Sequence, residues 1–341
     1  MKVGQAWHSR RALAVRSPIR FRPYLRPMVW GGRRLGEALY KPLPTAEPYG
    51  ESWEISDHPS HRSVVADGPL AGRTLTDLLR THGEALVGRP TTAFPWLVKH
   101  LDAWDWLSVQ VHPDERSVGR LWPGENSKNE AWFILDARPG SKVYAGLLPG
   151  VDEQALRRKV ADGTCAECLH QFEPRPGDCL YLPAGTVHAV GGGVLMAEVQ
   201  QSSDATFRLF DWGRVDAKGR SRELHVEKAM ACIDWKQGPV HPVFARGYPR
   251  PGEAAAGAVR QGLVSCPYFR LAYLRDTAPF ALGGSGPMQV VIVLHGRGVV
   301  AAPDGPVALA PGETLLLPAS MAEVECRPEG ALGLLLAELP G

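Results

Sequence analysis

The chain has 341 residues, of which 44% are hydrophobic and 22% are charged, and its formal net charge is +2. This length is sufficient for two barrels or sandwiches, and the composition excludes wholesale disorder. The small net charge argues against nucleic acid as the main partner. No apolar run approaches the roughly 20 residues of a membrane span, so we expect no membrane insertion.

The first twenty residues are basic and contain only one short apolar stretch, Ala12 to Val15. A secretory signal needs a longer apolar core, so we predict a poorly ordered arm over residues 1–20 and a cytoplasmic protein. The six cysteines lack a framework spacing, which suits a reducing compartment. The motif Cys165-Ala-Glu-Cys168 leaves two alternatives open, namely two loop thiols beside a helix end or a peripheral zinc or redox site.

Periodicity predicts a mainly β fold with a few short helices. Thr74 to His82 and Asp152 to Ala161 carry apolar residues at helical spacing. Most other segments alternate with period two between glycine and proline turns, which is typical of strands. The clearest predicted strands are Trp106 to Val111, Ala131 to Leu135, Asp178 to Leu182, Val194 to Val199 and Val290 to Leu294.

A faint internal repeat indicates two similar units. Gly177-Asp-Cys-Leu-Tyr-Leu-Pro183-Ala184 recurs as Gly312-Glu-Thr-Leu-Leu-Leu-Pro318-Ala319. Each copy has a turn glycine, a short apolar strand and a proline that ends the strand. The first copy continues to His188, whereas the second has Glu323 at that position. We therefore predict two similar barrels, of which the second is structural and metal-free.

The stretch from Gly238 to Gly257 is rich in proline, glycine and alanine, which is typical of a linker. We predict that this linker, residues 238–257, joins two domains. The first, residues 21–237, is a catalytic metal-binding domain with small helical insertions. The second, residues 258–341, is the C-terminal barrel.

A candidate ligand face lies on the segment Leu107-Ser-Val-Gln-Val-His112. Strand alternation puts Ser108, Gln110 and His112 on one side and three apolar residues on the other. Pro113 ends the strand immediately after the histidine. A polar face opposite an apolar one is what a barrel lined by a site requires.

Further candidate ligands follow along the chain. Lys128 and Glu130 share a face at the start of the next strand, and His188 follows a proline–glycine turn. Two imidazoles and a carboxylate suit a divalent cation, and the amide oxygen of Gln110 is a further candidate ligand. Because two histidines and a carboxylate also form the facial triad of non-haem iron oxygenases, that class remains an alternative.

The spacing G-x5-P-x-G-x2-H, which ends at His188, resembles the second sequence motif of the cupins. Cupins are small jelly-roll barrels that hold a metal in their mouth. The family pattern goes on to an asparagine, and Gly192 stands in its place here. The resemblance implies a fold of two cupin-like jelly-roll β-barrels with a few short helices.

A more extensive resemblance covers residues 25 to 214. It rests on the runs Leu25-Arg-Pro-Met-Val-Trp-Gly-Gly32, Gly50-Glu-Ser-Trp-Glu-Ile55, Leu97-Val-Lys-His-Leu-Asp-Ala103, Leu107-Ser-Val-Gln-Val-His-Pro-Asp114, Lys128-Asn-Glu-Ala-Trp-Phe-Ile-Leu135, Pro183-Ala-Gly-Thr-Val-His-Ala189 and Glu198-Val-Gln-Gln-Ser-Ser-Asp-Ala-Thr-Phe-Arg-Leu-Phe-Asp-Trp-Gly-Arg214. In these runs the chain resembles the type I mannose-6-phosphate isomerases in their short bacterial form. The last hundred or so residues match mainly in architecture.

The resemblance implies an aldose–ketose isomerase that interconverts mannose 6-phosphate and fructose 6-phosphate. It implies zinc-assisted proton transfer from C2 to C1 through a cis-enediol or enediolate. One zinc ion per chain would be held by His112, Glu130 and His188, with Gln110 as the fourth protein ligand. The longer form of the family often has His-Lys-Pro-Glu where this chain has Ser127-Lys-Asn-Glu130. The group that opens the sugar ring is therefore not carried over.

The resemblance also implies catalytic roles. Arg208 matches the arginine regarded as essential in the family, and it would stabilise the enediolate or grip the phosphate. Lys128 and Glu198 fall on positions proposed to handle protons or sugar hydroxyls. Glu51 falls on a polar pocket position, and with Ser108 it is assigned to substrate binding.

Three functional alternatives stay open from the sequence. The enzyme could act on another sugar phosphate, since specificity depends on loops that the sequence does not place. It could be a non-haem iron cupin oxygenase, or a non-catalytic sensor of sugar phosphates. If the protein binds a sugar phosphate, as an isomerase or as a sensor, its partner is a small molecule rather than nucleic acid or membrane. We expect a monomer or weak homo-oligomer.

Overall fold

The computed structural model describes residues 15–215, 218–250, 257–284 and 286–340. Residues 1–14 of the predicted arm and residues 251–256 of the predicted linker lie outside the described residues. The strands, in chain order, are β1 (Ile19–Arg20), β2 (Tyr24–Gly32), β3 (Tyr49–Ile55), β4 (Asp57–His58), β5 (His61–Arg62), β6 (Trp96–Ala103), β7 (Val109–Val111), β8 (Glu130–Ala137), β9 (Lys142–Leu147), β10 (Leu169–Phe172), β11 (Asp178–Leu182), β12 (His188–Gly191), β13 (Val194–Gln201), β14 (Phe207–Phe210), β15 (Val243–Phe244), β16 (Val259–Ser265), β17 (Arg270–Asp276), β18 (Phe280–Leu282), β19 (Gln289–His295), β20 (Gly298–Ala302), β21 (Gly305–Leu309), β22 (Thr314–Leu317), β23 (Val324–Pro328) and β24 (Leu332–Glu338). The helices are α1 (Arg34–Glu37), α2 (Leu75–Val87), α3 (Val118–Leu121), α4 (Glu153–Ala161) and α5 (Val226–Met230).

Both helices predicted from periodicity are present as α2 and α4. Thr74 caps the first turn of α2, because its side chain accepts a hydrogen bond from the backbone N–H of Asp77. Gly88 ends the same helix with a φ of 91°, a left-handed conformation that favours glycine. Asp152 caps α4 by accepting from the N–H of Ala155. Local capping residues therefore set the bounds of both helices.

The predicted strands coincide with β7, β8, β11, β13 and β19. Strand β11 has the predicted bounds, whereas β7 begins at Val109, later than the predicted Trp106. The mainly β fold with short helices is confirmed. No helix among the described residues has the length and apolar composition needed to cross a membrane.

The two halves of the chain share one sheet topology. In the first half, strands in the order β15-β11-β8-β13-β6-β3-β2 form one sheet, and β10-β9-β12-β7-β14 form the other. In the second half the sheets are β1-β22-β19-β24-β17-β16 and β18-β23-β20-β21. The order β11-β8-β13-β6-β3 thus recurs as β22-β19-β24-β17-β16. The faint sequence repeat, which coincides with β11 and β22, is a repeat of the fold.

The larger sheets of the two halves pack against each other through a shared hydrophobic core. Val98 and Phe133 from the first half lie in one buried cluster with Tyr273 and Val290 from the second. A separate cluster, which includes Trp132 and other residues of both sheets, fills the space between the two sheets of the first half. The molecule is therefore a stack of four sheets, in which each larger sheet is covered on both faces.

Two short strands each pair with a strand that is distant from them in the chain. β1 pairs with β22, so that Ile19 lies opposite Leu316 in the second half. β15 pairs with β11, so that Val243 lies opposite Cys179 in the first half. Segments on either side of the first half therefore complete the larger sheets.

The Cys165-Ala-Glu-Cys168 motif forms a 3₁₀ turn between α4 and β10. Both thiols are buried and free, and they belong to a hydrophobic cluster of the first half. Burial raises the pKa of the Cys165 thiol to about 12, which disfavours the thiolate that redox chemistry and metal binding use. These features favour the alternative of two structural thiols.

Candidate active site

A cavity of about 310 Å³ lies between the two sheets of the first half. Residues from β2, β3, β6, β8 and β13 line one wall, and residues from β7 and β14 line the other. The charged residues along it are Arg26, Glu51, Lys99, Lys128, Glu198, Asp204, Arg208 and Arg222. Most of the residues singled out from the sequence thus meet at one place in the fold.

Strand register explains how distant residues come together on one wall. Gln110 on β7 lies opposite His188 on β12 and, on its other side, opposite Arg208 on β14. Directly opposed residues of antiparallel strands project from the same face of a sheet. A candidate metal ligand, a candidate amide ligand and the candidate catalytic arginine therefore stand in one row.

The three predicted metal ligands His112, Glu130 and His188 form a buried cluster. One ligand atom from each lies within 4.8 Å of the others. Nε2 of His112 lies 3.3 Å from Oε2 of Glu130, and Nε2 of His188 lies 3.2 Å from Oε1. The carboxylate is thus placed between two imidazoles.

Backbone carbonyls determine the tautomers of both histidines. Nδ1 of His112 is 2.8 Å from the carbonyl oxygen of Ala205, and Nδ1 of His188 is 2.9 Å from that of Thr186. Because a carbonyl oxygen only accepts, each Nδ1 carries the hydrogen and donates it. Each Nε2 therefore presents its lone pair towards Glu130, the arrangement that metal-binding histidines use.

Gln110 lies beside this cluster, with its side-chain nitrogen 3.3 Å from Nε2 of His188. Ser108 donates to the side-chain oxygen of Gln110 at 3.1 Å. Rotating the amide by half a turn would place its oxygen towards the cluster and its nitrogen towards the Ser108 hydroxyl. The position of Gln110 therefore fits a fourth ligand, and the position of Ser108 fits a residue that orients it.

The donor set fits a divalent cation. Glu130 is fully buried, and neither of its oxygens has a hydrogen bond of normal geometry to any residue that the structure describes. Nζ of Lys128 lies 2.6 Å from Oε2 of Glu130 and 3.1 Å from Nε2 of His112. Burial alone would raise the pKa of Glu130, but Lys128 and His112 outweigh burial and hold it well below its usual range. A buried carboxylate needs such cationic partners, and two imidazoles with a carboxylate are ligands that Zn²⁺ accepts.

Glu198 lies on the opposite wall, between Lys99 on β6 and Trp132 on β8. Its Oε1 accepts from the indole N–H of Trp132 at 2.9 Å, and its Oε2 lies 3.3 Å from Nζ of Lys99. Burial raises the pKa of Glu198, and Lys99 offsets only part of that effect. A raised pKa makes a carboxylate a stronger base, which suits a group that takes up and returns a proton.

Glu51 is held by its neighbours on the same wall. Its Oε2 accepts from the indole N–H of Trp53 at 2.6 Å and from Arg26 at 2.9 Å. Burial would raise the pKa of Glu51, but Lys99 and Arg26 outweigh burial and lower it. Glu51 therefore stays ionised and holds the side chain of Arg26 at the cavity.

Arg208 projects from β14 into the cavity. Its Nη1 donates to the backbone oxygen of Glu223 at 3.1 Å. Its Nε is buried without a partner among the described residues. Burial and the neighbouring Arg222 lower the pKa of Arg208. The arginine is thus placed to donate to a group inside the cavity.

Four charged residues of the cavity, Arg26, Lys99, Asp204 and Arg222, were not predicted as site residues from the sequence. Lys99 is buried, and Glu198 and Glu51 outweigh its burial and raise its pKa. A lysine that directly follows three apolar residues in β6 was the available signal for Lys99. Arg222 lies in the connection after β14, where sequence periodicity carries no signal.

The sequence is similar to those of known proteins. Residues 19–144 match the family described as phosphomannose isomerase type I, catalytic domain. The mannose-6-phosphate isomerase of Streptococcus mutans is 34% identical over 302 residues, which cover 88% of this chain and 92% of that protein. Mannose-6-phosphate isomerase ManA of Bacillus subtilis is 32% identical over 306 residues, covering 90% and 94%.

The fold gives the same result. The crystal structure of the mannose 6-phosphate isomerase from Bacillus subtilis superimposes with a TM-score of 0.83 at 31% identity. The match covers 94% of this chain and 99% of that one. The expectation drawn from the sequence motifs is confirmed, and the chain belongs to the type I mannose-6-phosphate isomerase family.

Proposed function

We propose that this protein interconverts mannose 6-phosphate and fructose 6-phosphate, with one zinc ion bound by His112, Glu130, His188 and Gln110. The observation that carries this proposal is the buried cluster in which both histidine Nε2 atoms face the Glu130 carboxylate. Gln110 and Lys128 connect the cluster to the cavity, because both line the cavity and contact cluster residues. The names of the relatives support this substrate pair.

The reaction moves a proton between C2 and C1 through a cis-enediol or enediolate, whose negative oxygens are costly to form. Zinc bound at the cluster would supply Lewis-acid stabilisation of those oxygens. Arg208 adds a permanent positive charge from the neighbouring position in the same row. Fixed charges in a partly desolvated cavity stabilise developing negative charge at little reorganisation cost.

Glu198 is the residue to which we assign the proton transfer. Its raised pKa and its place on the wall facing the Gln110 row support this role. Trp132 and Lys99 hold its two oxygens and so keep the carboxylate in one orientation. Lys128, whose ammonium contacts Glu130 and His112, is the second candidate for handling a proton or a sugar hydroxyl.

A coupled assay of the purified protein tests the function directly. Mannose 6-phosphate should be converted to fructose 6-phosphate, activity should be lost after chelation, and zinc should restore it. Other aldose phosphates are assayed in parallel, and they should be converted less efficiently. Absence of turnover in the zinc-restored protein would contradict the proposal. Oxygen uptake after addition of ferrous iron would instead support the oxygenase alternative.

We propose that the C-terminal half is structural, because its larger sheet covers the outer face of the catalytic half. We also propose that the enzyme works in the cytoplasm as a monomer or weak homo-oligomer. The free cysteines of the chain support a reducing compartment.

A further inference from the structure

We propose that Arg222, oriented by Asp211, binds the phosphate of the substrate, so that these two residues determine specificity for a phosphorylated sugar. The inference rests on the proposed function for the identity of the ligand. Arg222 lines the same cavity as Arg208 and Lys128, although it lies in the connection after β14. Phosphate is a dianion that guanidinium groups bind through paired N–H donors.

Asp211 holds the Arg222 guanidinium in a fixed plane. Nε of Arg222 donates to Oδ2 of Asp211 at 2.8 Å, and Nη2 donates to Oδ1. Asp211 is itself buried, directly after the end of β14. Burial would raise the pKa of Asp211, but Arg222 and Arg214 outweigh burial and lower it. A paired contact of this kind removes rotamer freedom before the ligand arrives.

The charge balance at this end of the cavity calls for an anion. Arg26 pairs with Glu51, and Lys99 pairs with Glu198, so each of these cations has its own carboxylate. Asp211, in contrast, is shared by two arginines. Its Oδ1 accepts from Arg214 as well as from Arg222. Arg214 also pairs with Asp105 at 3.3 Å, so Asp105 and Asp211 together balance Arg214 and Arg222.

Arg208 supplies the positive charge that remains at this end of the cavity. Arg208 donates to a backbone carbonyl oxygen rather than to a carboxylate. Burial is the larger cause that lowers the pKa of Arg208, and the nearby charge of Arg222 lowers it further. Two neighbouring guanidinium groups repel each other in a partly buried cavity. A dianion bound at Arg222 would offset that repulsion.

Position along the cavity agrees with the shape of the substrate. The reacting carbons C1 and C2 and the phosphate on C6 lie at opposite ends of a hexose phosphate. The metal-ligand candidate His188 lies on β12, two strands away from β14, which is the edge strand of its sheet. Arg222 follows that edge strand in the chain. Arg222 is therefore displaced from the metal cluster in the direction that an extended substrate requires.

The test uses the full-length zinc-loaded enzyme and the variant Arg222→Gln. We expect the KM for mannose 6-phosphate to rise on the order of 10- to 100-fold, the loss typical of a charged hydrogen bond. The kcat should change by less than about threefold, because the contact is the same in the ground state and the transition state. The inhibition constant of inorganic phosphate should rise by a similar factor.

Three further variants make the result specific. Arg222→Lys should recover part of the affinity, because a lysine keeps the charge without the paired donors. Asp211→Asn should raise KM by a smaller factor at nearly unchanged kcat. The matched control is Arg214→Gln, which removes the other arginine on Asp211 but not a residue that lines the cavity. It should leave KM and phosphate inhibition within about twofold.

Calorimetric titration with inorganic phosphate separates this inference from the proposed function. If the wild type binds phosphate and Arg222→Gln does not, the subsite stands even when no mannose 6-phosphate is turned over. Unchanged phosphate affinity and unchanged KM in Arg222→Gln would overturn the inference while leaving the isomerase intact. An equal loss in Arg222→Gln and Arg214→Gln would also overturn it, because the effect would then be structural.

Discussion

Glu130 and Gln289 occupy equivalent positions in the two halves of the molecule. Glu130 begins β8 and lies opposite Leu182, whereas Gln289 begins β19 and lies opposite Leu317. The side chain of Gln289 accepts from the N–H of Gly283 and donates to Glu338 at 2.6 Å. Glu130, in contrast, faces two imidazoles. The same position in the repeated fold is thus a candidate metal ligand in the first half and a hydrogen-bonded amide in the second.

This relationship leads to a prediction about metal content. Zinc per chain should fall sharply from one in His112→Ala, Glu130→Ala and His188→Ala, because each variant removes one ligand of the buried cluster. Gln110→Ala should lose less zinc, because an amide is the weaker ligand. Elemental analysis of the purified proteins measures these ratios.

Gln289→Ala is the matched control in the second half, and it should keep one zinc per chain. Tightly held, stoichiometric zinc in all three ligand variants would show that the metal binds elsewhere. Anomalous scattering at the zinc edge should likewise show no peak near Glu323, which is exposed.

Arg208→Ala is expected to reduce kcat by on the order of 10² to 10³ with little change in KM. The reason is that Arg208 stands beside the metal cluster in the Gln110 row, where charge develops in the transition state. Steady-state kinetics with mannose 6-phosphate measure both constants. A rise in KM at constant kcat, with partial recovery in Arg208→Lys, would assign Arg208 to phosphate binding instead.

The activity should fall at low pH in a way that depends on Glu198. A general base must be deprotonated, and burial raises the pKa of Glu198, so kcat is lost as pH decreases through that raised value. Glu198→Gln should lose most activity, on the order of 10² to 10⁴, and should lack this acidic limb. An unchanged acidic limb in the residual activity of Glu198→Gln would assign the titration to another group.

Isotope exchange distinguishes proton transfer from a hydride shift. Transfer through an enediol base allows the moving hydrogen to exchange with solvent, so some deuterium should enter the sugar during turnover in heavy water. Partial incorporation is sufficient, because a shielded base can return its proton before exchange. Mass spectrometry of the product measures this. Complete retention of the substrate hydrogen over many turnovers would argue against both Glu198 and Lys128 as base.

A buried ion pair makes stability depend on acid pH. Nζ of Lys41 lies 2.7 Å from Glu54 and also donates to the carbonyl oxygen of Gly312 in the second half. Burial would raise the pKa of Glu54, but Lys41 and His100 outweigh burial and lower it to about 2. Because the folded pKa lies below the unfolded one, the stabilisation is complete above about pH 5 and is lost as pH falls towards 2.

The free energy of unfolding should fall by roughly 3 kcal/mol between about pH 5 and pH 2, as measured by denaturant unfolding. Glu54→Gln should be less stable than the wild type near neutral pH and should change less over this interval. Glu84→Gln, at an exposed position, should follow the wild type. If the free energy of unfolding changed equally with pH in the wild type and in Glu54→Gln, Glu54 would not be the cause of the acid dependence.

Much of the fold and of the metal cluster could be predicted from the sequence because the signals are local. Capping by Thr74 and Asp152 marks where helices begin, and alternation marks which strand residues share a face. His112, Glu130 and His188 each stand at a turn or strand end within a short motif. Local backbone geometry constrains such positions strongly, so the sequence by itself determined the candidate ligands and the class of fold.

Tertiary structure decided which residues become neighbours on the walls of the cavity. Register brings Lys99 beside Glu198 and Arg208 beside Gln110, and the connection after β14 brings Arg222 to the same cavity. Pairing between strands distant in sequence depends on the whole sheet stack, in which side chains compete for buried area and charge partners. Periodicity describes only one strand at a time. The electrostatic environment of the cavity is therefore a property of the folded chain.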